Sequence, residues 1–277
     1  MSILEIIKSI VYGIVEGITE WLPVSSTGHL ILLNEIIPMQ VSASFWNMFL
    51  VVIQLGAILA VVVNFWSRIW PFNTKVKEKP FLRYDVLNLW FKIIVACLPA
   101  AVIGLLLDDW IDAHLYNAYV VATMLILVGI AFLLIEAWKK DATPRVESLR
   151  DLSMRDALII GLFQVVAALL PGTSRSGSTI IGGLLMGVSR TVAAEFTFYL
   201  AIPVMFGASL LKLVKFGFHF TANEAILLLV GCVTAFLVSL VVIRFLMNYI
   251  KKHDFKVFGW YRIVLGVLVF AAFFFFI

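Results

Sequence analysis

Two stretches of this chain place charged, hydroxyl and imidazole side chains inside otherwise apolar runs. The first covers residues 13–30 and reads GIVEGITEWLPVSSTGHL. The second covers residues 161–179 and reads GLFQVVAALLPGTSRSGST. The matched pairs are Gly13 with Gly161, Glu16 with Gln164, Pro23 with Pro171, and Ser25-Ser26 with Thr173-Ser174. We expect these two polar stretches to act together.

The first stretch carries two carboxylates, Glu16 and Glu20, spaced i, i+4 and therefore on one face of a helix. In a medium of low dielectric constant they repel each other unless one is protonated or a cation lies between them. A hard divalent cation, Mg²⁺ or Ca²⁺, suits such oxygen ligands and would also bind a phosphate. The alternative is a structural pair that is hydrogen-bonded to neighbouring hydroxyl and backbone groups.

Three hydroxyls and an imidazole follow within the same stretch, at Ser25, Ser26, Thr27 and His29. The start of a helix after Pro23 would offer free N–H groups to an anion, and the hydroxyls could cap that helix or bind the same anion. A serine near an imidazole also suits an activated nucleophile with the histidine as base. The alternative is simple capping, with His29 in the protein interior.

The second stretch supplies the opposite charge through Arg175, whose guanidinium fork fits phosphate oxygens. An internal ion pair with Glu16 or Glu20 is the alternative interpretation, and both can hold. The two stretches have thus diverged into an acidic and a cationic half, which favours an asymmetric phosphoryl-transfer site. The hydroxyl neighbours that add donors are Thr173, Ser174, Ser176, Ser178 and Thr179.

Composition indicates a membrane protein, since 62% of the 277 residues are hydrophobic and only 14% are charged. The two cysteines, Cys97 and Cys232, fall within apolar runs and are expected to pack as small hydrophobic residues. Residues 1–22 lack the basic segment and cleavage site of a secretory signal, so we expect the N-terminus to be retained. A net charge of +4 placed in loops gives no support for nucleic-acid binding.

The elements that must position the polar residues are six apolar spans and two interrupted segments. Pro23 and Pro171 interrupt segments 3–37 and 156–188 and would end a helix at Leu22 and again at Leu170. We interpret both segments as re-entrant helix hairpins. The sequence therefore predicts an all-α polytopic membrane protein in one membrane domain, residues 1–277. The predicted spans are 44–66, 86–107, 118–138, 192–213, 224–249 and 257–277.

Loop charge predicts the orientation of these spans. The segments 67–85 and 139–155 are rich in lysine and arginine, including Lys75, Lys77 and Lys79, and are expected to be cytoplasmic. Three spans separate the two hairpins, so the hairpins enter from opposite sides, as in an inverted-topology repeat. The predicted repeats are 1–138 and 156–277.

Both motifs, Glu16–His29 and Pro171–Thr179, resemble the signatures of the bacterial undecaprenyl-diphosphatase family, also called the bacitracin-resistance proteins. The resemblance extends through Val52–Ala60, Leu184–Arg190 and Glu195-Phe196, and so covers nearly the whole chain. It implies removal of the terminal phosphate of undecaprenyl diphosphate, which recycles the lipid carrier for peptidoglycan and other cell-wall polymers, and resistance to bacitracin.

The resemblance also implies six spanning and four shorter helices in two inverted repeats, a divalent cation, and a pocket facing the periplasmic side of the inner membrane. The family's site corresponds to Glu16, Glu20, Ser26, His29, Ser174, Arg175 and Thr179. The substrate and the bilayer are the expected partners, and a homodimer is left open.

We therefore expect Glu16 and Glu20 to hold the metal, Ser26 to attack, and His29 to act as base, with direct attack by His29 or by a water as alternatives. Arg175 is expected to bind the phosphates with hydroxyls from Ser25, Thr27, Ser174, Ser176 and Thr179. Two other functions remain open at this point. A secondary transporter would move lipid without releasing phosphate, and a scaffold would not explain charges at membrane depth.

Overall fold

The computed structural model describes residues 2–73, 81–217 and 219–275. Lys75, Lys77 and Lys79, which contribute to the orientation prediction, lie outside the described residues. Within those ranges the chain is helical, and two isolated bridges are its extended pairings. The helices are α1 (Ile3–Thr19), α2 (Ser26–Ile36), α3 (Ala43–Val52), α4 (Gln54–Ile69), α5 (Tyr84–His114), α6 (Ala118–Trp138), α7 (Met154–Leu169), α8 (Arg175–Leu185), α9 (Arg190–Phe216), α10 (Ala222–Tyr249) and α11 (Lys256–Phe275).

Six segments of the described chain are long and apolar enough to span a bilayer, and they confirm the six predicted spans to within a few residues. Large apolar side chains such as Leu134, Leu229 and Val241 project outward from them. An apolar outer surface of this kind suits lipid rather than water. The protein is a multi-pass membrane protein. The spans are Ala43–Ile69, Tyr84–Leu107, Ala118–Trp138, Arg190–Phe216, Ala222–Tyr249 and Lys256–Phe274.

The first span has a break of one residue at Ile53, which divides it into α3 and α4, although Ile53 itself keeps right-handed helical backbone at φ −60° and ψ −23°. Residues 43–69 nevertheless form one span, as the sequence predicted. Gly56, just after the break, lies so close to α10 that an added Cβ would clash with the carbonyl group of Cys232. Gln54, the first residue of α4, lies in the wall of a polar pocket.

Two shorter helix pairs, α1 with α2 and α7 with α8, contain the polar stretches. The sequence predicted that the first helix of each pair would end at Leu22 and Leu170. The second prediction agrees with α7, which is capped by Leu170, whereas α1 already ends at Thr19. Proline at 23 has no N–H to donate and disfavours helical backbone at Leu22, so the last turn unwinds before it.

The second helix of each pair begins at a serine cap with unusual backbone geometry. Ser25 has φ 72° and accepts a hydrogen bond from the Gly28 N–H, and Ser174 has φ 69° and accepts one from the Gly177 N–H. Among the described residues these are the non-glycine residues with positive φ. Such backbone costs on the order of 1–3 kcal/mol and persists only where its surroundings impose it.

The caps revise the residue pairing taken from sequence, which matched Ser25-Ser26 with Thr173-Ser174. The structure gives Ser25 and Ser174 the same capping position, so Arg175 corresponds to Ser26. The reason is one additional loop residue, since Val24 alone separates Pro23 from its cap, whereas Gly172 and Thr173 separate Pro171 from Ser174.

Two close backbone contacts, at Gly13 and Gly161, hold the helix pairs against neighbouring spans. A Cβ at Gly13 would lie 2.6 Å from the carbonyl oxygen of Gly231, so α1 packs backbone to backbone on α10. A Cβ at Gly161 would clash with the carbonyl oxygen of Ala96, so α7 packs in the same way on α5. Small residues permit this close approach in membrane helices. The first helix of each pair is thereby held against a span from the other half of the chain.

Candidate active site

The two helix breaks meet at a polar pocket of about 180 Å³. The α1–α2 break contributes an acid and hydroxyls, the α7–α8 break contributes the cation, and α4 and α9 close the remaining sides. The sequence prediction that the two stretches act together is therefore supported by their position. The pocket is lined by Glu20, Ser25, Ser26, Thr27, Gln54, Ala167, Pro171, Gly172, Ser174, Arg175, Val204, Met205 and Ala208.

An ion pair joins the two breaks. One terminal nitrogen of Arg175 lies 3.0 Å from Glu20 Oε1, and the other donates to the Thr197 carbonyl oxygen at 2.9 Å. Both side chains are about nine-tenths buried, so the charges neutralise each other where water is scarce. The sequence left Glu16 and Glu20 as possible ion-pair partners of Arg175, and the structure pairs it with Glu20. The remaining guanidinium nitrogen, Arg175 Nε, has no hydrogen-bond partner.

The hydroxyl of Ser26 points to the same carboxylate. Ser26 Oγ donates to Glu20 Oε2 at 2.7 Å, so the two Glu20 oxygens hold Arg175 and Ser26 respectively. The sequence analysis expected His29 to take the serine proton, but no hydrogen bond joins Ser26 to His29 in the part of the chain that the structure describes. In this arrangement Glu20 is the nearest proton acceptor for Ser26.

His29 supports the strained cap instead. Its Nδ1 lies 2.7 Å from the Ser25 carbonyl oxygen, which can only accept, so Nδ1 carries a proton. Its Nε2 lies 2.7 Å from the Tyr261 hydroxyl, and the two rings are nearly parallel, with centroids 5.6 Å apart. His29 therefore ties the backbone of Ser25 to α11. Tyr261 was not identified from sequence.

Glu16 is completely buried, and neither carboxylate oxygen has a hydrogen-bond partner. It lies one helical turn before Glu20, as the spacing predicted. The described residues contain no group of three or more His, Cys, Asp or Glu side chains that could hold a metal. Two carboxylates, one of them without a partner, nevertheless suit Mg²⁺, which keeps several waters and takes substrate phosphates as further ligands.

Five further hydroxyls divide into two sets. Ser25, Thr27 and Ser174 line the pocket. Ser176 and Thr179 are buried behind it: Ser176 donates to the Glu20 carbonyl oxygen at 3.2 Å, and Thr179 donates to the Arg175 carbonyl oxygen at 2.9 Å. In this structure these two hydroxyls therefore hold the ion pair in place.

The pocket also receives the first turns of α2 and α8. The first N–H groups of a helix have no intrahelical acceptor and carry a partial positive charge. With Arg175 at the first position of α8, this end of the pocket is suited to an anion such as phosphate.

Sequence reasoning missed Arg262, a fully buried residue of α11. Its guanidinium donates to the carbonyl oxygens of Pro23 at 3.2 Å, Gly172 at 2.8 Å and Thr173 at 2.9 Å, and so joins both helix breaks. Weaker bonds at 3.4–3.5 Å reach Met124 and Leu125 of α6. The available signal was the charge itself, because an arginine inside an apolar span is costly and usually functional.

Comparison with known proteins identifies the family of this chain. Residues 9–268 match the family described as bacitracin resistance protein BacA. A protein of Desulfitobacterium hafniense named undecaprenyl-diphosphatase is 59% identical over 99% of this chain and 98% of its own length. One of the same name from Enterococcus faecalis is 58% identical over 97% of both chains. Undecaprenyl-diphosphatase 1 of Clostridium acetobutylicum is 55% identical over 99% of both. The chain thus belongs to the bacitracin resistance protein family.

Proposed function

We propose that this chain hydrolyses undecaprenyl diphosphate to undecaprenyl phosphate and inorganic phosphate. The reaction would return the lipid carrier to peptidoglycan and cell-wall synthesis and so confer bacitracin resistance. Near-complete similarity to relatives named for this activity supports the proposal. The observation that carries it is the Ser26–Glu20–Arg175 arrangement, in which a hydroxyl, an acceptor carboxylate and a phosphate-binding cation share one pocket.

The chain's own residues suggest the following steps. Arg175 and the first N–H groups of α8 bind the diphosphate, with Ser174, Ser25 and Thr27 as further donors. The Ser26 oxygen attacks the terminal phosphorus, its proton passes to Glu20, and the bond to the bridging oxygen breaks. Undecaprenyl phosphate leaves, and water then hydrolyses the phosphoserine to release phosphate. Arg175 stabilises negative charge in both transition states.

His29 has a positioning role in this scheme. His29 donates to the Ser25 carbonyl oxygen and is hydrogen-bonded to the Tyr261 hydroxyl, so it holds the residue that caps α2. Ser26 is the first residue of that helix. The orientation of the Ser26 hydroxyl thus depends on His29, without direct transfer of the serine proton to the imidazole.

Glu16 and Glu20 are the residues that would hold a divalent cation, Mg²⁺ or Ca²⁺. When bound, such an ion neutralises charge on the diphosphate and orients it. The orphaned carboxylate of Glu16 supports this assignment, because a buried acceptor with no donor costs free energy unless a ligand satisfies it.

Replacing Glu16 with glutamine is expected to lower the affinity for Mn²⁺, measured by EPR, by about a hundredfold. Mutation of residues that merely orient metal ligands already lowers metal affinity about 10–100-fold. The cation concentration for half-maximal activity should rise in parallel. Glu35→Gln, at an exposed glutamate of α2, is the matched control. Unchanged Mn²⁺ affinity in Glu16→Gln would remove Glu16 from the metal site.

We also propose the finer topology. The pairs α1–α2 and α7–α8 would be re-entrant hairpins, and residues 1–138 and 156–277 would be inverted repeats. Reciprocal packing supports this, because the first pair lies on α10 of the second half and the second pair lies on α5 of the first half. Loop charge supports the predicted orientation of the spans, and the family resemblance supports a pocket that opens to the periplasmic side of the inner membrane. A homodimer is compatible with this arrangement.

The direct test uses purified protein in detergent with undecaprenyl diphosphate and Mg²⁺. Ser26→Ala is expected to lower phosphate release by at least about a hundredfold, because it removes the nucleophile. Ser44→Ala, at an exposed hydroxyl outside the pocket, should retain activity. Substrate labelled in its terminal phosphate should give acid-stable phosphoserine at Ser26 after quenching.

Other outcomes would reassign the reaction. Label on His29, or turnover without any phosphoenzyme, would exclude Ser26 as nucleophile. Movement of the lipid between leaflets of a vesicle with no phosphate release by the wild-type protein would overturn hydrolysis in favour of transport.

A further inference from the structure

A second cavity lies between α5, α7 and α9, beside the polar pocket. Its volume is about 490 Å³, within the range of sites that hold small ligands. Its walls are largely apolar, formed by residues such as Leu98 on α5, Ala168 on α7 and Leu211 on α9. The catalytic scheme above makes no use of this space.

The cavity and the polar pocket share a wall. Arg175, Ala167, Val204 and Ala208 line both of them. Arg175 therefore stands at the junction, with its terminal nitrogens on the pocket side bound to Glu20 and Thr197 and its Nε without a partner. A molecule with an anionic head and an apolar chain would fit across this junction.

A buried polar group lies near the same junction. Gln164 is 2% exposed and lines the cavity, and its side-chain amide makes no hydrogen bond of normal geometry within the described residues, its polar neighbour there being the Cys97 thiol. A thiol bonds weakly, so this buried amide is poorly satisfied, and a ligand group could complete its bonding. A phosphate oxygen at the start of an apolar chain would accept from it.

Open space lies beside two glycines on the flanking helices of the cavity. Both flanking helices contain an internal proline, Pro99 in α5 and Pro203 in α9, and proline removes a backbone hydrogen bond and bends a helix. Gly104 and Gly207 line the space, and a Cβ at either would meet no atom within 4 Å. Exposed apolar residues such as Leu105 continue the wall toward the lipid-facing surface.

We infer that this cavity holds the isoprene units next to the diphosphate, so that the chain passes Arg175 and leaves between α5 and α9 into the bilayer. The inference rests on the proposed function. A single chain attached directly to the phosphate suits a site in which one arginine lines both spaces, whereas a phosphoglyceride would bring two chains and a glycerol. The prenyl chain lies in an apolar environment both in the free and in the bound substrate. The cavity therefore acts by positioning the scissile bond rather than by removing the prenyl chain from water.

The test fills the open space with an aromatic ring. Gly207→Phe and Gly104→Phe are expected to lower kcat/KM for undecaprenyl diphosphate by about ten- to a hundredfold, as misplacement by about an ångström can. Gly207→Ala and Gly104→Ala, which add only a methyl group, should lose less than the Phe variants, and Leu229→Phe, at an exposed residue of α10 outside the cavity, should match the wild type. Methylene diphosphonate, a tail-less inhibitor, should keep its inhibition constant in every variant. Undiminished kcat/KM in both Phe variants, or an equal loss of inhibitor affinity, would overturn the inference.

A second measurement covers the case in which the Phe variants fail to fold. A polyprenyl diphosphate with a diazirine on its first isoprene unit should label wild-type segments 94–105 or 203–211, and undecaprenyl diphosphate should suppress the label. Labelling elsewhere, or suppression by bilayer phospholipid alone, would contradict the inference. If the proposed function itself is wrong, the wild-type protein will release no phosphate from undecaprenyl diphosphate, wherever the diazirine probe labels it. That outcome is distinct from a failure of the cavity inference, in which the wild-type protein remains active.

Discussion

Arg175→Ala is expected to reduce phosphate release from undecaprenyl diphosphate by about a thousandfold or more, the scale at which a single arginine acts in phosphoryl transfer. The change removes the cation proposed to bind the phosphates and leaves Glu20 buried without its ion-pair partner. Arg175→Lys keeps the charge but loses the planar fork, which binds Glu20 and Thr197 together. We expect the lysine variant to remain well below wild-type activity.

Phosphate release in detergent measures this effect, and a binding assay with methylene diphosphonate separates phosphate binding from catalysis. Arg244→Ala is a matched control, because Arg244 is an exposed arginine that contacts Asn64 away from the pocket. Full activity in Arg175→Lys would show that charge alone suffices. Full activity in Arg175→Ala would exclude the proposed site.

Arg262→Leu is expected to abolish most activity and to lower the unfolding temperature. The leucine leaves the carbonyl oxygens of Pro23, Gly172 and Thr173 without their donor, and each unsatisfied buried group costs about 1–3 kcal/mol. Both helix breaks then lose their common attachment to α11. Because Ser26 and Arg175 begin the helices that follow these breaks, we expect activity to fall by at least about a hundredfold.

Thermal unfolding in detergent and phosphate release at a temperature where the variant is folded distinguish stability from positioning. Arg262→Lys should recover part of the stability and little of the activity, since one ammonium cannot reach all three carbonyl groups in fork geometry. Trp260→Phe, at an exposed neighbour on α11, is the control. Wild-type stability and activity in Arg262→Leu would contradict a joint attachment of the two breaks.

Much of the fold followed from local sequence chemistry. The six spans were predictable because hydrocarbon thickness fixes their length and composition marks them directly. The interruptions at Pro23 and Pro171 were predictable because proline cannot continue a helix. The break at Ile53 was not, since no proline or glycine stands at that residue and the close contact of Gly56 with α10 is a tertiary feature.

The sequence indicated which residues come together in the pocket, but not the hydrogen bonds between them. The types and spacing of Glu20, Ser26 and Arg175 indicated a phosphate site, and all three line one pocket. The partner of Ser26 was not predictable, because it depends on the positive φ of Ser25. Arg262 was overlooked because its partners are carbonyl oxygens, which every residue carries and no pattern of residue types reveals.

The separation of the Glu20–Arg175 pair along the chain bears on how the protein is made. Their hydrogen bond joins residues 155 positions apart, so Glu20 is synthesised long before its counter-charge exists. Glu16, without a partner even in the folded chain, adds to the cost of early insertion. We expect the first helix pair to remain near the membrane surface during translation and to reach its final depth only after α8 is complete. The membrane spans would then insert before the first helix pair reaches its final position, and the site would be assembled last.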